Sequence, residues 1–258
     1  MKKVGARRTI ENALRRYGFV CIAGVDEVGR GCLAGPVMAG AVVLDPDRHI
    51  PGLADSKALT ALGRDRLYEA IVKRAVVWSV SSVGPAEIDE INIHQATLRA
   101  MQRAVQTLAP LPDVVLVDAF RIPSLLMAQR GVIKGDRQCA AIAAASIVAK
   151  VTRDRFMDRL HADDPRYGFD RHEGYATAEH LAAVARHGYS AVHRRSFRPP
   201  SLFDTMEAFG LDPVTFPAAV QPPPPHDAAA ISETSPLTPA RDDGEGSPAL
   251  SNDESENC

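Results

Sequence analysis

The chain has 258 residues, 45% hydrophobic and 24% charged, ordinary proportions for a globular protein, and a formal net charge of −2. Its four cysteines show no CxxC spacing, which argues against a zinc ribbon and a disulfide framework. The longest apolar stretch, 140–149, is about half of the ~20 residues a membrane-spanning helix needs.

The charge is unevenly spread. Residues 213–258 hold eight acids and one base; removing these from the totals of 32 and 30 leaves 24 acids and 29 bases in residues 1–212. A body of about +5 therefore carries a tail of about −7, and the body is compatible with a polyanionic partner. The basic N-terminus, with Lys2, Lys3, Arg7 and Arg8, lacks an apolar h-region, so no secretory leader is expected and the protein is expected to be soluble and cytoplasmic.

In chain order, residues 9–17 predict a short amphipathic helix, 20–26 a strand and 35–44 a second strand rich in Val and Ala. Residues 60–73 suit a helix with Thr60 as N-cap. A third strand follows over 75–83, then a short helix opened by Pro85 and a longer one over 93–108. Residues 113–118, nearly continuous in Val and Leu, predict a strand buried on both faces. A long helix is expected over 137–161 and another over 177–187, closed by Gly188. These units predict an α/β fold, a mixed sheet flanked by helices. The Pro-, Ser- and acid-rich residues 213–258 cannot bury enough apolar surface to order themselves, so they are expected to be disordered.

The chemistry concentrates in GVDEVGRG, residues 24–31. Asp26 and Glu27 are adjacent acids at the end of an apolar strand, costly unless something positive meets them. Adjacent residues of a strand point to opposite faces, so a shared site requires a turn directly after Asp26, which Gly29 and Gly31 suggest. Asp118 ends the fourth strand, and Asp136 lies in Lys134-Gly135-Asp136 before the long helix. Side chains at the carboxyl ends of neighbouring strands converge on one crevice. Four carboxylates suit two hard cations. Each acid alone has a plainer reading: Asp136 as a helix N-cap, Asp118 as a partner for a loop amide.

Spacing alone does not decide the set; a resemblance carried by ordered blocks does. GVDEVGRG with Leu33-Ala-Gly-Pro-Val37, Asp55-Ser56-Lys57, Ile91-Asn92-Ile93 with Ala96-Thr97-Leu98, Val115-Leu-Val-Asp118, Lys134-Gly135-Asp136 with residues 140–150, Tyr167-Gly168-Phe169, His172-Glu-Gly-Tyr175-Ala-Thr177 and His193-Arg194-Arg195-Ser196-Phe197 run in sequence. Over roughly residues 9–200 the chain resembles the ribonuclease HII family. Cys32, Ala58 and Glu173 depart from the residues usual there, the last two removing basic positions.

The resemblance implies a ribonuclease H-like five-stranded mixed sheet with a helical C-terminal extension, a catalytic domain over 1–212 and a tail over 213–258. It implies that Asp26, Glu27, Asp118 and Asp136 hold two Mg²⁺ or Mn²⁺ ions and that Gly29, Arg30 and Gly31 read the ribose 2′-hydroxyl with Tyr175. Lys57, Ser146 and Lys150 are expected to contact phosphates, Ser146 and Lys150 sharing a helix face. The implied substrates are RNA–DNA hybrids and duplex DNA with embedded ribonucleotides, cut 5′ of the ribonucleotide to leave 3′-hydroxyl and 5′-phosphate ends. A monomer with no membrane partner is expected, its tail a solubiliser. For His172, His180 and His193 structural hydrogen bonding is expected rather than general-base work.

Overall fold

The computed structural model describes residue 6, residues 8–53, 59–123 and 125–198, and the backbone of Glu233–Pro236. Strands β1 (Ile22–Val28), β2 (Val37–Leu44) and β3 (Ala75–Val83) form an antiparallel meander. Strands β4 (Val114–Asp118) and β5 (Ala128–Val132) add in parallel on the other side of β1. The backbone of Glu233–Pro236 (β6) pairs antiparallel with β3, giving the order β5-β4-β1-β2-β3-β6. This edge strand lies within the stretch expected to be disordered. Main-chain pairing along an open sheet edge needs no apolar side chain, so composition does not exclude it. The rest of 213–258 lies outside the described residues, as does Lys57.

Alternation along the strands sorts the core into two layers. Ile22, Met38, Val42, Val114 and Leu116 face helix α5 (Ala140–Asp163), with α1 (Thr9–Arg16) and α2 (Ala61–Arg74) beside it. Ala23, Val25, Ala39, Ala41, Val115 and Val117 face α3 (Pro85–Gln106) through Ile88, Ala96, Ala100 and Met101. Helix α5 sits close to the sheet because the meeting surfaces carry almost no side chain. A Cβ on Gly24 would lie 2.1 Å from the Ala141 carbonyl carbon, and one on Gly40 would lie 2.6 Å from the Ala145 oxygen.

Thr60 caps α2 as expected, accepting from the Gly63 amide at 3.2 Å. Asn92, at φ 67°, breaks α3 between its short opening and its longer second part, as the sequence predicts. The helix expected over 137–161 is two pieces. Helix α4 (Gly135–Gln138) ends at Cys139, which is extended at φ −126°, and α5 begins afresh. Asp136 therefore sits in α4 and does not cap α5. The buried Glu11 of α1 does so, accepting from the Ala141 amide at 3.0 Å.

The C-terminal extension, a 3₁₀ turn (Pro165–Tyr167), α6 (Phe169–His172) and α7 (Ala178–His187), packs its own small core around Leu33, Met157, Tyr167, Phe169 and Val184. Among the described residues no helix is long and apolar enough to cross a membrane.

Candidate nuclease site

The two strand-end acids meet on the α5 face. The parallel register pairs Gly24 with Leu116 and Val25 with Val117, so Asp26 and Asp118 stand one step beyond the last paired rung, on the same face as Gly24 and Leu116. The expected turn after Asp26 does not occur. Strand β1 continues to Val28, pairing Asp26 with Gly40, Glu27 with Ala39 and Val28 with Met38, because β2 runs on beside it. Asp26 accordingly faces α5, where the Ser146 hydroxyl bonds it. Glu27 alternates to the α3 side, where its carboxylate lies 3.7 Å from the Arg30 guanidinium. That guanidinium rests over the Phe120 ring at 4.9 Å.

Asp118 is fixed from the chain that follows β5. Its Oδ1 accepts from the Gly135 amide at 2.6 Å, which draws the Lys134-Gly135-Asp136 turn against the strand end. Lys134 takes a left-handed conformation there, at φ 53°. Asp136, half-buried, follows directly. Asp26 and Asp118 thus stand at neighbouring strand ends on one face, with the turn that carries Asp136 drawn against Asp118, while Glu27 lies on the other face of β1.

Burial, then the Glu27 and Asp118 charges, push the Asp26 carboxyl well above its ordinary value, while Ser146 and the Glu27 amide work against the shift. An anion forced into such a place is matched by an added cation, and an all-oxygen donor set suits a hard divalent one. Among the described residues no three acid, His or Cys side chains stand close enough to cage an ion unaided. A cation here would complete its shell from outside the chain.

The glycine-flanked Arg30 follows. Gly29 is at φ 87°, and a Cβ on it would lie 2.3 Å from Arg153 Nε and 2.9 Å from the Pro36 oxygen. Gly31 is different: a Cβ there would meet nothing within 4 Å, so the protein's own packing does not demand glycine. Beside it a pocket of about 340 Å³ is lined by Gly31, Leu33, Ala176, Ser196, Phe197 and Arg198. Tyr175, 42% exposed, stands next to that pocket, its hydroxyl bonded to the buried Cys32 side chain.

Ser146 and Lys150, the residues expected to contact phosphates, each have partners within the protein. Ser146 is buried on Asp26. Lys150 Nζ donates to Asp154 Oδ1 at 2.6 Å and to Glu173 Oε2. Two buried arginines that the sequence does not single out brace the glycine loop. Arg194, fully buried, donates to the Gly29, Arg30 and Gly35 carbonyls at 2.7, 2.9 and 2.9 Å. Arg153, equally buried, donates to the Pro36, Ala34 and Glu173 carbonyls at 3.1, 3.2 and 2.9 Å. Between them they occupy the carbonyls of the glycine loop. Burial pulls the Arg194 guanidinium down to about 10. Arg194 stands in a noted motif, but nothing in the sequence marks Arg153 among the charges at the end of α5.

His172, His180 and His193 are buried with their ring nitrogens engaged. His180 Nδ1 lies 2.9 Å from the Tyr175 carbonyl and its Nε2 lies 3.0 Å from His193 Nε2. None faces the acids, in keeping with a structural role.

A mixed α/β sheet flanked by helices, with Asp26 and Asp118 on one face at the ends of the neighbouring parallel strands β1 and β4, is the architecture of a ribonuclease H-like enzyme. The ribonuclease HII family matches residues 23–199. Ribonuclease HII of Ralstonia nicotianae is 56% identical over 181 residues, covering 69% of this chain and 77% of that protein. The crystal structure of the ribonuclease H2 from Pyrococcus horikoshii OT3 is similar at TM-score 0.62 and 27% identity, over 75% of this chain and all of that one. The crystal structure of Bst-RNase HIII in complex with Mn²⁺ shares the fold at TM-score 0.57 and 21% identity, over 76% of this chain and 72% of that one. The chain belongs to the ribonuclease HII family. It is a ribonuclease H, an endonuclease that hydrolyses the RNA of RNA–DNA hybrids.

Proposed function

We propose that the crevice also cuts duplex DNA on the 5′ side of a single embedded ribonucleotide, leaving 3′-hydroxyl and 5′-phosphate ends. The observation that carries this is the sequence junction of two devices: Asp26 and Asp118 on one face of the sheet end, and, three to five residues after Asp26, the Gly29-Arg30-Gly31 loop, whose Gly31 lines a pocket with Ala176, the neighbour of Tyr175.

Asp26, Glu27, Asp118 and Asp136 would hold two Mg²⁺ or Mn²⁺ ions, which when bound supply Lewis acidity to an attacking water and to the leaving 3′ oxygen. A fold neighbour carries Mn²⁺, in line with a hard-ion preference. Ser146 orients Asp26, and the Gly135 amide orients Asp118, so both carboxylates present a fixed edge. Arg194 and Arg153 consume loop carbonyls, which leaves main-chain amides to face the ribose. Gly31, with space where a Cβ would be, lets the sugar approach the backbone. Tyr175 packs against the neighbouring sugar and tests for the 2′-hydroxyl. The catalytic unit is residues 1–212, acting as a cytoplasmic monomer.

The test is purified protein with Mg²⁺ or Mn²⁺ on a DNA duplex carrying one ribonucleotide, beside an all-DNA duplex. Cleavage 5′ of the ribonucleotide is expected, with the all-DNA duplex intact. Asp118→Asn is expected to lower the rate by about a hundredfold or more. Undiminished cutting by that variant, or equal cutting of both duplexes, would sink the reading.

A further inference from the structure

We infer that Glu173 sets how tightly this enzyme holds its substrate, by competing with substrate phosphate for Lys150. The inference rests on the proposed nucleic-acid reading of the crevice and adds a regulator to it.

Lys150 lies on α5 one helical turn beyond Ser146, the residue that bonds Asp26. A cation one turn from the acidic site is well placed for a phosphate of the bound strand. In this structure its charge is already occupied. Nζ is shared between Asp154 Oδ1 at 2.6 Å and Glu173 Oε2, and Arg64 Nη2 lies 3.8 Å from Asp154 Oδ2. Two cations, Lys150 and Arg64, thus face Glu173 and Asp154, and burial pushes the Asp154 carboxyl up to about 6, so that when protonated it donates to Glu173. The Lys150, Asp154 and Glu173 side chains are only 18, 21 and 28% exposed, so bulk solvent screens them little.

Glu173 is aimed at Lys150 by its backbone. It sits at φ 51°, left-handed territory that side-chain-bearing residues enter at some cost. The conformation is held from both sides: its amide donates to the Phe169 carbonyl at 2.8 Å and its carbonyl accepts from Arg153 at 2.9 Å. Gly174 behind it is tied down, its carbonyl accepting from the Leu33 amide at 2.7 Å. Burial works to raise the Glu173 carboxyl but is outweighed by Lys150, Asp154 and Arg153, which hold it below its ordinary value. The carboxylate is therefore charged at neutral pH, two residues from Tyr175. A phosphate approaching Tyr175 meets that anion first, and gains Lys150 only by displacing it.

The experiment measures binding of an RNA–DNA hybrid by fluorescence anisotropy across a KCl series. All proteins carry Asp118→Asn to prevent cutting, and thermal unfolding verifies each fold. Glu173→Gln is expected to bind about three- to tenfold tighter at low salt and to steepen the salt dependence by about one phosphate contact. Lys150→Met is expected to bind more weakly, and Glu173→Gln added to it to change affinity less than about twofold. Two results overturn the inference: no gain from Glu173→Gln, or the same gain in the Lys150→Met background, which would mark a general field effect. If the cutting-competent protein cleaves ribonucleotide-containing duplex while either result is found, only the role of Glu173 falls. If no hybrid is bound or cut at all, the parent reading falls with it.

Discussion

At the scale of single residues, Asp26 shows a conflict between stability and function. Its carboxyl is buried beside Glu27 and Asp118 and is pushed well above its ordinary 3.8. A raised folded-state value means that the folded protein keeps a proton the unfolded chain has released. Stability from this group is present below 3.8 and is lost as pH rises through the elevated value. Without metal, the native state is therefore penalised as pH rises, because ionising this buried carboxyl leaves its charge uncompensated. Asp26→Asn removes that charge and keeps the shape. In EDTA at pH 7.5 it is expected to raise the thermal midpoint by about 2–6 °C while abolishing cutting. The two proteins should converge near pH 4, where the native carboxyl is neutral. A lower midpoint for the variant at pH 7.5 would mean that Asp26 stabilises the fold, contrary to this account.

At the scale of elements, the site depends on α5 lying almost on the backbone of β1 and β2. Gly24 and Gly40 permit it from the sheet and a run of buried alanines from the helix. Gly24→Ala has no rotamer to escape into, since its Cβ would meet main chain at 2.1 and 2.3 Å. Lifting α5 would move Ser146 from Asp26 and Lys150 from its partners. A loss of about 3 kcal/mol or more is expected by urea unfolding. Gly31→Ala is the matched control: its Cβ is in open space, so stability should change by less than about 0.5 kcal/mol even though cutting falls. Equal destabilisation by the two substitutions would refute the packing argument. The strands that pack against helices on both sides were legible because apolar burial leaves a mark in the sequence, as in Val114–Asp118. Strand β5 was not placed. Ala128–Val132 is a mostly exposed edge whose pairing is carried by main chain, which no side-chain pattern records. The break at Cys139 was missed because residues on both sides of it favour helix. The strand-end placement of Asp26 and Asp118 was legible through their motifs. The buried clamps Arg153 and Arg194 were not, since their partners are backbone carbonyls from remote loops.

At the scale of the whole molecule, three buried histidines tie the C-terminal extension to Tyr175 and are expected to set the acid limit of the fold. The network fixes their protonation. His180 Nδ1 faces the Tyr175 carbonyl and must donate, so its Nε2 accepts from His193 Nε2, and His193 Nδ1 accepts from the Ser190 amide at 3.0 Å. His172 Nε2 donates to the Tyr167 carbonyl at 2.7 Å, while its Nδ1 accepts from the Gly174 amide at 3.3 Å. A second proton on any ring would set two donors face to face. Burial first, then neighbouring histidines, pulls His193 down to about 3, and burial with His172 pulls His180 to about 4, from an ordinary 6.5. Above pH 6.5 both folded and unfolded chains hold these rings neutral. Below it the unfolded chain takes up protons that the folded one refuses, so stability falls as pH drops from about 6.5 towards about 4. Each ring contributes up to about 1.4 kcal/mol per pH unit inside that window, and two consume a large share of a typical domain's stability within two units. Asp26 and Asp154, whose carboxyls are both raised, work in the opposite direction, and His172, lowered by burial, adds to the histidine side, leaving three groups against two. Urea midpoints of the metal-free protein are therefore expected to fall steeply between pH 6.5 and 4.5. His193→Gln is expected to start less stable at pH 7, having lost its bonds, and to follow a slope shallower by about one proton. If that variant keeps the native slope, the acid limit lies in other groups and the trio is only packing.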